Sequence, residues 1–282
     1  MTLESPQCHF SDEILSREEV QGLLKTQAPG VERQNLLKML VGWEIAERVL
    51  NGDRLGIGSG TTAKAAIRAI GQRLLSKEDP LRVVHGVATS RELAELARSV
   101  GIDVEPFDDT LQGLDTLPLE PDLDWGFDGA DEVEVIRDAS RVIKRFRLIK
   151  GYGGAQTIEK LIARRCKKWR CIVDESKRKD KIGAFAIAVE VWEDKLDEVA
   201  KIFMERYGAT AVTRRQGFIT DQENCILDVQ MQAGAIQVGW EQEWNQIDGV
   251  IDNGIFDEVQ PAEVLVAHAD GTIESLKPGD VI

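Results

Sequence analysis

Four residues in the middle of the chain could do acid–base chemistry. Asp128 and Asp131 lie in Phe127-Asp128-Gly129-Ala130-Asp131-Glu132-Val133, Lys150 heads Lys150-Gly151-Tyr152-Gly153-Gly154-Ala155-Gln156, and Glu159 follows in Thr157-Ile158-Glu159-Lys160. Carboxylates supply a base and a proton carrier, and a lysine offsets negative charge that develops during reaction. Taken singly, each has a structural explanation. An Asp-Gly pair is a turn, a glycine run is a flexible connection, and an early helical glutamate complements the helix dipole. Their combination within one stretch points to a site.

A second stretch suits an anion. Arg54-Leu55-Gly56-Ile57-Gly58 reads as a strand, Ser59-Gly60-Thr61-Thr62 as a turn, and Ala63 to Leu75 as an Ala-rich helix. Small residues between a strand and a helix aim backbone N–H groups and hydroxyls at a phosphate lying on the helix N-terminus. No Gly-Lys-Ser/Thr follows, so the turn is not a Walker A loop, and the third glycine of G-x-G-x-x-G is missing. A small phosphate therefore fits better than a nucleotide.

These residues need a scaffold that brings them to one edge. Leu123, Trp125 and Phe127 alternate as in a strand, which places Asp128 and Asp131 at its C-terminal end, where ligands bind in open α/β sheets. A second apolar run ending in Leu148-Ile149 delivers Lys150 to the glycine-rich turn. Strand Val83 to Val87, helix Arg91 to Val100, strand Ile102 to Phe107 and strand Cys171 to Asp174 continue an alternation that indicates a parallel sheet. Thr89 and Ser90 lie at a strand's C-terminal end, where they could cap a helix or touch a ligand, and capping is the favoured reading. Upstream, Ser16-Arg17-Glu18-Glu19 is a capping box opening a short helix through Leu24 that ends at Pro29-Gly30, and a helix near 32 to 50 carries Lys38. The segment from Glu134 to Arg145 is read as a solvated excursion between the Asp131 loop and the strand entering Lys150.

From about Phe185 the pattern changes. Strand Ala186 to Val191, helix Lys195 to Tyr207, strands Ala211 to Arg214 and Cys225 to Val229, a helix over Ile236 to Ile247 and a strand with a turn over Gly249 to Ile255 give a split βαβ order. Glu263 to Ala267 and Thr272 to Leu276 close the chain as a hairpin. The expected fold is α/β: a Rossmann-like parallel-sheet domain over 33–184 and 256–282, a smaller ferredoxin-like α+β domain over 185–255, and an N-terminal extension over 1–32.

Composition limits the partners. A net charge of -14 over 282 residues repels nucleic acid, and no basic, aromatic-interleaved stretch overrides it. Cys8, Cys166, Cys171 and Cys225 form neither a CxxC pair nor a disulfide framework, which fits a reduced compartment. The N-terminus has no long apolar run of a signal or membrane segment, so the cytoplasm is expected. No metal-ligand spacing is evident.

The motifs together carry a resemblance. Val41-Gly42-Trp43, Gly56 to Ala63, Asp128-Gly129-Ala130-Asp131-Glu132, Lys150-Gly151 with Gly153-Gly154-Ala155, Thr157 with Glu159-Lys160, Asp174 with Ser176-Lys177, and Thr220-Asp221 with Ile226-Leu227-Asp228 resemble type A ribose-5-phosphate isomerases from about residue 33 onward. The resemblance implies Glu159 as proton acceptor, with Asp128, Asp131 and Lys150 assisting. It implies a sugar-phosphate site made of Lys38, Ser59, Gly60, Thr61, Thr62, Gly129, Ala130, Gly151, Tyr152, Gly153 and Lys177. It also implies a homodimeric or homotetrameric enzyme of the pentose phosphate pathway, without metal or other cofactor. Tyr152 stands where that family shows glycine, and the connection from residue 132 to 149 is longer than usual.

Two other functions share this architecture. An aminosugar-phosphate deaminase would use a histidine in ring opening, but His9, His85 and His268 all lie outside the motifs. A non-catalytic sugar-phosphate sensor would keep the phosphate turn and dispense with the base, whereas Glu159 is present.

Overall fold

The computed structural model describes residues 15–26, 31–78, 81–105 and 120–282. Cys8, His9, Pro29-Gly30 and Phe107 lie outside them. The first described element, α1 (Arg17–Thr26), opens on the expected capping box: Ser16 N donates to Glu19 Oε2 at 2.7 Å and Glu19 N to Ser16 Oγ at 3.3 Å. Helix α2 (Val31–Arg48) follows.

The largest sheet is built from β1 (Arg54–Ile57), β2 (His85–Ala88), β3 (Asp103–Val104), β4 (Trp125–Asp128), β7 (Trp169–Asp174), β14 (Glu263–Ala267) and β15 (Ile273–Leu276), with α3 (Gly60–Leu75), α4 (Arg91–Ser99) and α5 (Gln156–Arg165) between strands. Its order is β15-β14-β7-β4-β1-β2-β3, and every pairing except β14 with β15 is parallel. The chain runs outward from β1 to β3, then returns to the other side of β1 for β4. That reversal leaves a crevice beyond the C-terminal ends of β1 and β4, the place where open α/β sheets bind ligands.

Each face of this sheet has its own core. Leu40, Ile45, Ile67 and Ile70 of α2 and α3 pack with Leu55 and Ile57, while Ile158, Leu161 and Ile162 of α5 pack with Cys171, Val173, Val264 and Val266. Helix α5 lies close to the sheet because two strand glycines admit it. A Cβ on Gly56 would stand 2.6 Å from Cys166 Sγ and 2.9 Å from Ile162 Cγ2, and one on Gly126 would stand 2.6 Å from the same sulfur.

Strands β9 (Ile187–Val191), β10 (Ala211–Arg214), β11 (Cys225–Gln230) and β12 (Val250–Asn253) form an antiparallel sheet of order β10-β11-β9-β12. With α6 (Leu196–Glu205) after β9 and α7 (Trp240–Trp244) before β12, this is the split βαβ arrangement expected. Helix α7 is shorter than the expected Ile236 to Ile247. The buried Arg147 guanidinium takes the carbonyls of Ile236 and Gln237 at 3.1 and 3.2 Å, and Gly239 turns at φ 89, so the helix starts only at Trp240.

The excursion over Glu134 to Arg145 is a correction. It belongs to a hairpin of β5 (Glu132–Arg137) and β6 (Ile143–Ile149), flanked in a third sheet by β8 (Arg178–Lys179) and β13 (Ile255–Phe256). Glu134 is buried with Lys181 at 2.8 Å, and Val133, Ile143 and Phe146 join the core. The tip, residues 137–141, and Lys144 are exposed.

Candidate active site

Asp128 ends β4 and turns its carboxylate inward. Its Oδ1 accepts from Ser59 N at 2.9 Å and Gly129 N at 2.7 Å, and its Oδ2 faces Lys150 Nζ at 2.9 Å. The strand beside it must be bare for this to fit, because a Cβ on Gly58 would lie 2.3 Å from the Asp128 carboxyl carbon. Burial pushes Asp128 up to about 7 despite the nearby ammonium, and burial also raises Asp131.

Lys150 follows β6. Its backbone N donates to Gly254 O at 2.9 Å, and a side chain on Gly254 would collide with the Lys150 carbonyl at 2.2 Å. The ammonium is 3 % exposed, bonds Gly129 O at 2.5 Å and stands 3.1 Å from Glu159 Oε2. Burial alone would lower its pKa, but the adjacent Asp128 and Glu159 carboxylates raise it, so the lysine stays charged. Glu159 sits in the first turn of α5, buried, with Oε1 accepting from Ser59 Oγ.

Ser59 therefore serves the base rather than its own helix. It occupies the N-cap of α3 without a side-chain cap bond, Gly60 takes φ 76, and Thr61 and Thr62 open the first turn. The leading N–H groups of a 16-residue helix are left facing the cleft, a favourable seat for an anion. Lys38 of α2 and Lys177 at the end of a short turn capped by Asp174 border the same cleft.

The glycine-rich turn supplies the remaining wall. Gly151 and Gly154 take φ 101 and 74, whereas Tyr152 has no positive φ and donates its N–H to Asp131 Oδ2 at 3.1 Å. Its ring is 73 % exposed and meets Phe185 edge-on at 5.6 Å.

Every one of the fifteen residues singled out in the sequence lines this single cleft of about 310 Å³. Thr89 and Ser90 do not; Ser90 Oγ caps α4 by accepting from Leu93 N at 3.4 Å, whereas the buried Thr89 Oγ1 has no hydrogen-bond partner and caps no helix. Several residues behind the cleft escaped sequence reading. Gly254 is one, and Arg215, Phe218 and Glu190 on the smaller sheet and its loops are others. Asp228, already within a recognised motif, was the available signal, because it holds the Arg215 guanidinium through Nε at 3.0 Å. Among the described residues no cluster of three or more His, Cys, Asp or Glu side chains is arranged to hold a metal, and no helix is long and apolar enough to cross a membrane.

Comparison with known proteins bears on the family and the fold. The profile of the family described as ribose 5-phosphate isomerase A (phosphoriboisomerase A) matches residues 85–271. A relative from Streptococcus sanguinis, named ribose-5-phosphate isomerase A, is 34 % identical over 238 residues, covering 83 % of this chain and 95 % of its own. One of the same name from Ruegeria sp. is 33 % identical over 246 residues, covering 84 % and 85 %. Among solved structures, ribose 5-phosphate isomerase A from Methanocaldococcus jannaschii aligns with a TM-score of 0.69 at 34 % identity over 86 % of this chain and 98 % of that one. A D-ribose-5-phosphate isomerase in complex with phospho-erythronic acid aligns with a TM-score of 0.72 at 27 % identity over 88 % and 100 %.

Proposed function

The chain belongs to the ribose 5-phosphate isomerase A family of aldose–ketose isomerases, and from that premise we propose that it interconverts ribose 5-phosphate and ribulose 5-phosphate through an enediolate, with Glu159 as the base. The observation that carries this reading is the position of the Lys150 ammonium, 2.9 Å from Asp128 and 3.1 Å from Glu159 within one buried group.

The reaction moves one proton between C1 and C2 and one between the two oxygens. Glu159 takes the carbon-bound proton and returns it to the neighbouring carbon. Negative charge then develops on the substrate oxygens, and a charged, buried Lys150 stabilises it more than a solvated lysine would, because the site needs no reorganisation when the charge appears. Asp128, pushed up to about 7, can hold or release a proton at neutral pH and is suited to ring opening and hydroxyl transfer. Asp131, anchored by the Tyr152 N–H, is placed to share that work.

The phosphate sits on the α3 N-terminus, held by Ser59 to Thr62 with Lys38 and Lys177. Because Ser59 bonds Glu159 directly, binding energy from the phosphate end is coupled to the placement of the base. A cleft of about 310 Å³ is at the small end of ligand pockets, which run from roughly 300 to 1,000 Å³, and suits a pentose phosphate. We assign the enzyme to the non-oxidative pentose phosphate pathway and to a homodimer or homotetramer, the latter to be measured by light scattering. The test of function is direct: purified protein incubated with ribose 5-phosphate should form ribulose 5-phosphate, and the reverse. No interconversion in either direction would overturn the proposal.

A further inference from the structure

The hairpin joining β10 to β11 reaches across from the smaller sheet and holds the catalytic segment at both ends. At one end, Arg215 Nη1 donates to Tyr152 O at 2.8 Å and lies 3.5 Å from Gly151 O. The guanidinium is itself fixed by Asp228, with Nε donating to Oδ2 at 3.0 Å and Nη2 to Oδ1, and it lies over the Phe218 ring at 5.3 Å. That ring occupies the space where Gly154 has no side chain, since a Cβ there would come within 2.4 Å of it. At the other end, the buried Glu190 carboxylate accepts from Thr220 Oγ1 at 2.7 Å, Asn224 Nδ2 at 3.0 Å and Thr157 Oγ1. Thr157 is two residues before Glu159 in the first turn of α5.

We infer that Arg215 is a positioning residue for the isomerisation, setting the peptide planes of the Gly151 to Gly154 turn and through them the placement of Lys150 against Glu159. The inference rests on the isomerase reading above. All peptides here are trans, and in a trans peptide the N–H points opposite the C=O. Pinning the Tyr152 carbonyl on Arg215 therefore turns the Gly153 N–H away from the smaller sheet, and Gly153 lines the cleft. The bidentate contact with Asp228 removes the freedom of a long side chain, so the remaining Nη1 donor arrives already oriented. A lysine cannot hold Asp228 in this fork and reach Tyr152 O at the same time.

The test compares Arg215→Met, Arg215→Lys and, as a surface control, Arg214→Met, whose ion pair with Glu193 is exposed. Misplacement of about 1 Å can cost on the order of a hundredfold in rate. Arg215→Met should lose at least about tenfold in kcat, while the inhibition constant of inorganic phosphate, which probes the α3 end of the cleft, changes less than about twofold. Arg215→Lys should fall between wild type and Arg215→Met, and Arg214→Met should match wild type. A role confined to stability would lower the melting temperature and leave kcat per folded molecule unchanged. Wild-type kcat in a folded Arg215→Met overturns the inference, as does wild-type kcat in Arg215→Lys where the Met variant fails to fold. An inactive wild-type enzyme would instead count against the isomerase reading.

Discussion

Lys150 Nζ stands 3.1 Å from Glu159 Oε2, although the lysine directly follows a strand and the glutamate lies in the first turn of a helix beyond an intervening glycine turn. The pair keeps the Glu159 carboxylate beside a fixed positive charge, while Ser59 Oγ holds its other oxygen. Replacing Glu159 by Gln preserves size and hydrogen bonding but removes the base. Turnover of ribose 5-phosphate should drop by about a hundredfold or more, with inhibition by inorganic phosphate little changed. Near wild-type kcat in Glu159→Gln would remove this residue from the chemistry.

Asp128 gives a pH signature in stability. Its pKa is raised by burial from 3.8 to about 7, so between these values the folded state holds a proton that the unfolded state has released. Stability from this group is fully present below about 4 and is lost as pH rises through about 7. Asn at 128 mimics the protonated form and has no such dependence. The unfolding free energy of Asp128→Asn relative to wild type should therefore shift in the variant's favour from pH 4 to pH 8, by on the order of a few kcal/mol. Denaturant titrations at both pH values measure this, and a difference independent of pH would contradict a raised Asp128.

Gly58 offers a probe of geometry rather than of a functional group. Alanine there would bring a methyl group to 2.3 Å from the Asp128 carboxyl carbon and force the carboxylate off the Ser59 and Gly129 N–H groups. Gly58→Ala should lose at least about tenfold in kcat/KM, because small displacements of reacting groups are costly. Gly22, in α1 with no atom within 4 Å of its would-be Cβ, is the control. Gly22→Ala should leave activity unchanged and add up to about 1 kcal/mol of stability. Equal activities for the two variants would show that Asp128 tolerates displacement.

The cleft was legible because its residues come in short motifs whose spacing is set locally, by strand ends and helix starts. Strands of the main sheet were legible for a similar reason: alternating or continuous apolar runs end at small-residue turns. The β5–β6 hairpin was not. Arg137, Asp138, Arg141, Lys144 and Arg145 make its sequence look solvated, and the partners that bury its charges are distant in the chain. Glu132 accepts from Gly183 N at 2.6 Å and Phe185 N at 2.9 Å, and Arg147 binds Asp257 through Nε at 3.1 Å. Burial of a charge depends on such pairing, which no local periodicity reports. Arg215 was hidden in the same way, since its role depends on carbonyls more than sixty residues earlier.

That hairpin sets a limit on redesign. Removing Glu134 to Arg145 entirely would delete Ile143 from the core and leave Lys181 without its buried carboxylate partner. Such a variant should fail to fold, as judged by circular dichroism. Shortening only the exposed tip, residues 137–141, by a two-residue turn should leave both the fold and turnover within about twofold of wild type. Abolished turnover in a folded tip variant would place the tip in the site of this or a neighbouring subunit.

Tyr152 tests how closely the substrate approaches the glycine-rich turn. A tyrosine in place of glycine either blocks the cleft or keeps an ordinary backbone with its ring directed elsewhere. The second arrangement is the one observed: Gly151 and Gly154 carry the positive φ angles, Tyr152 does not, and its ring rests against Phe185. Gly153 between them does not have a positive φ. The contacts that matter at position 152 are made by its backbone, through the N–H to Asp131 and the carbonyl to Arg215, and glycine retains both groups. Glycine also frees the chain, which costs roughly 1 kcal/mol of conformational entropy. Tyr152→Gly should therefore change kcat/KM for ribose 5-phosphate by less than about tenfold, equivalent to about 1.4 kcal/mol, with a modest loss of thermal stability. A gain much larger than tenfold would mean that the ring obstructs a pentose phosphate, and that the natural substrate of this enzyme is a different sugar phosphate.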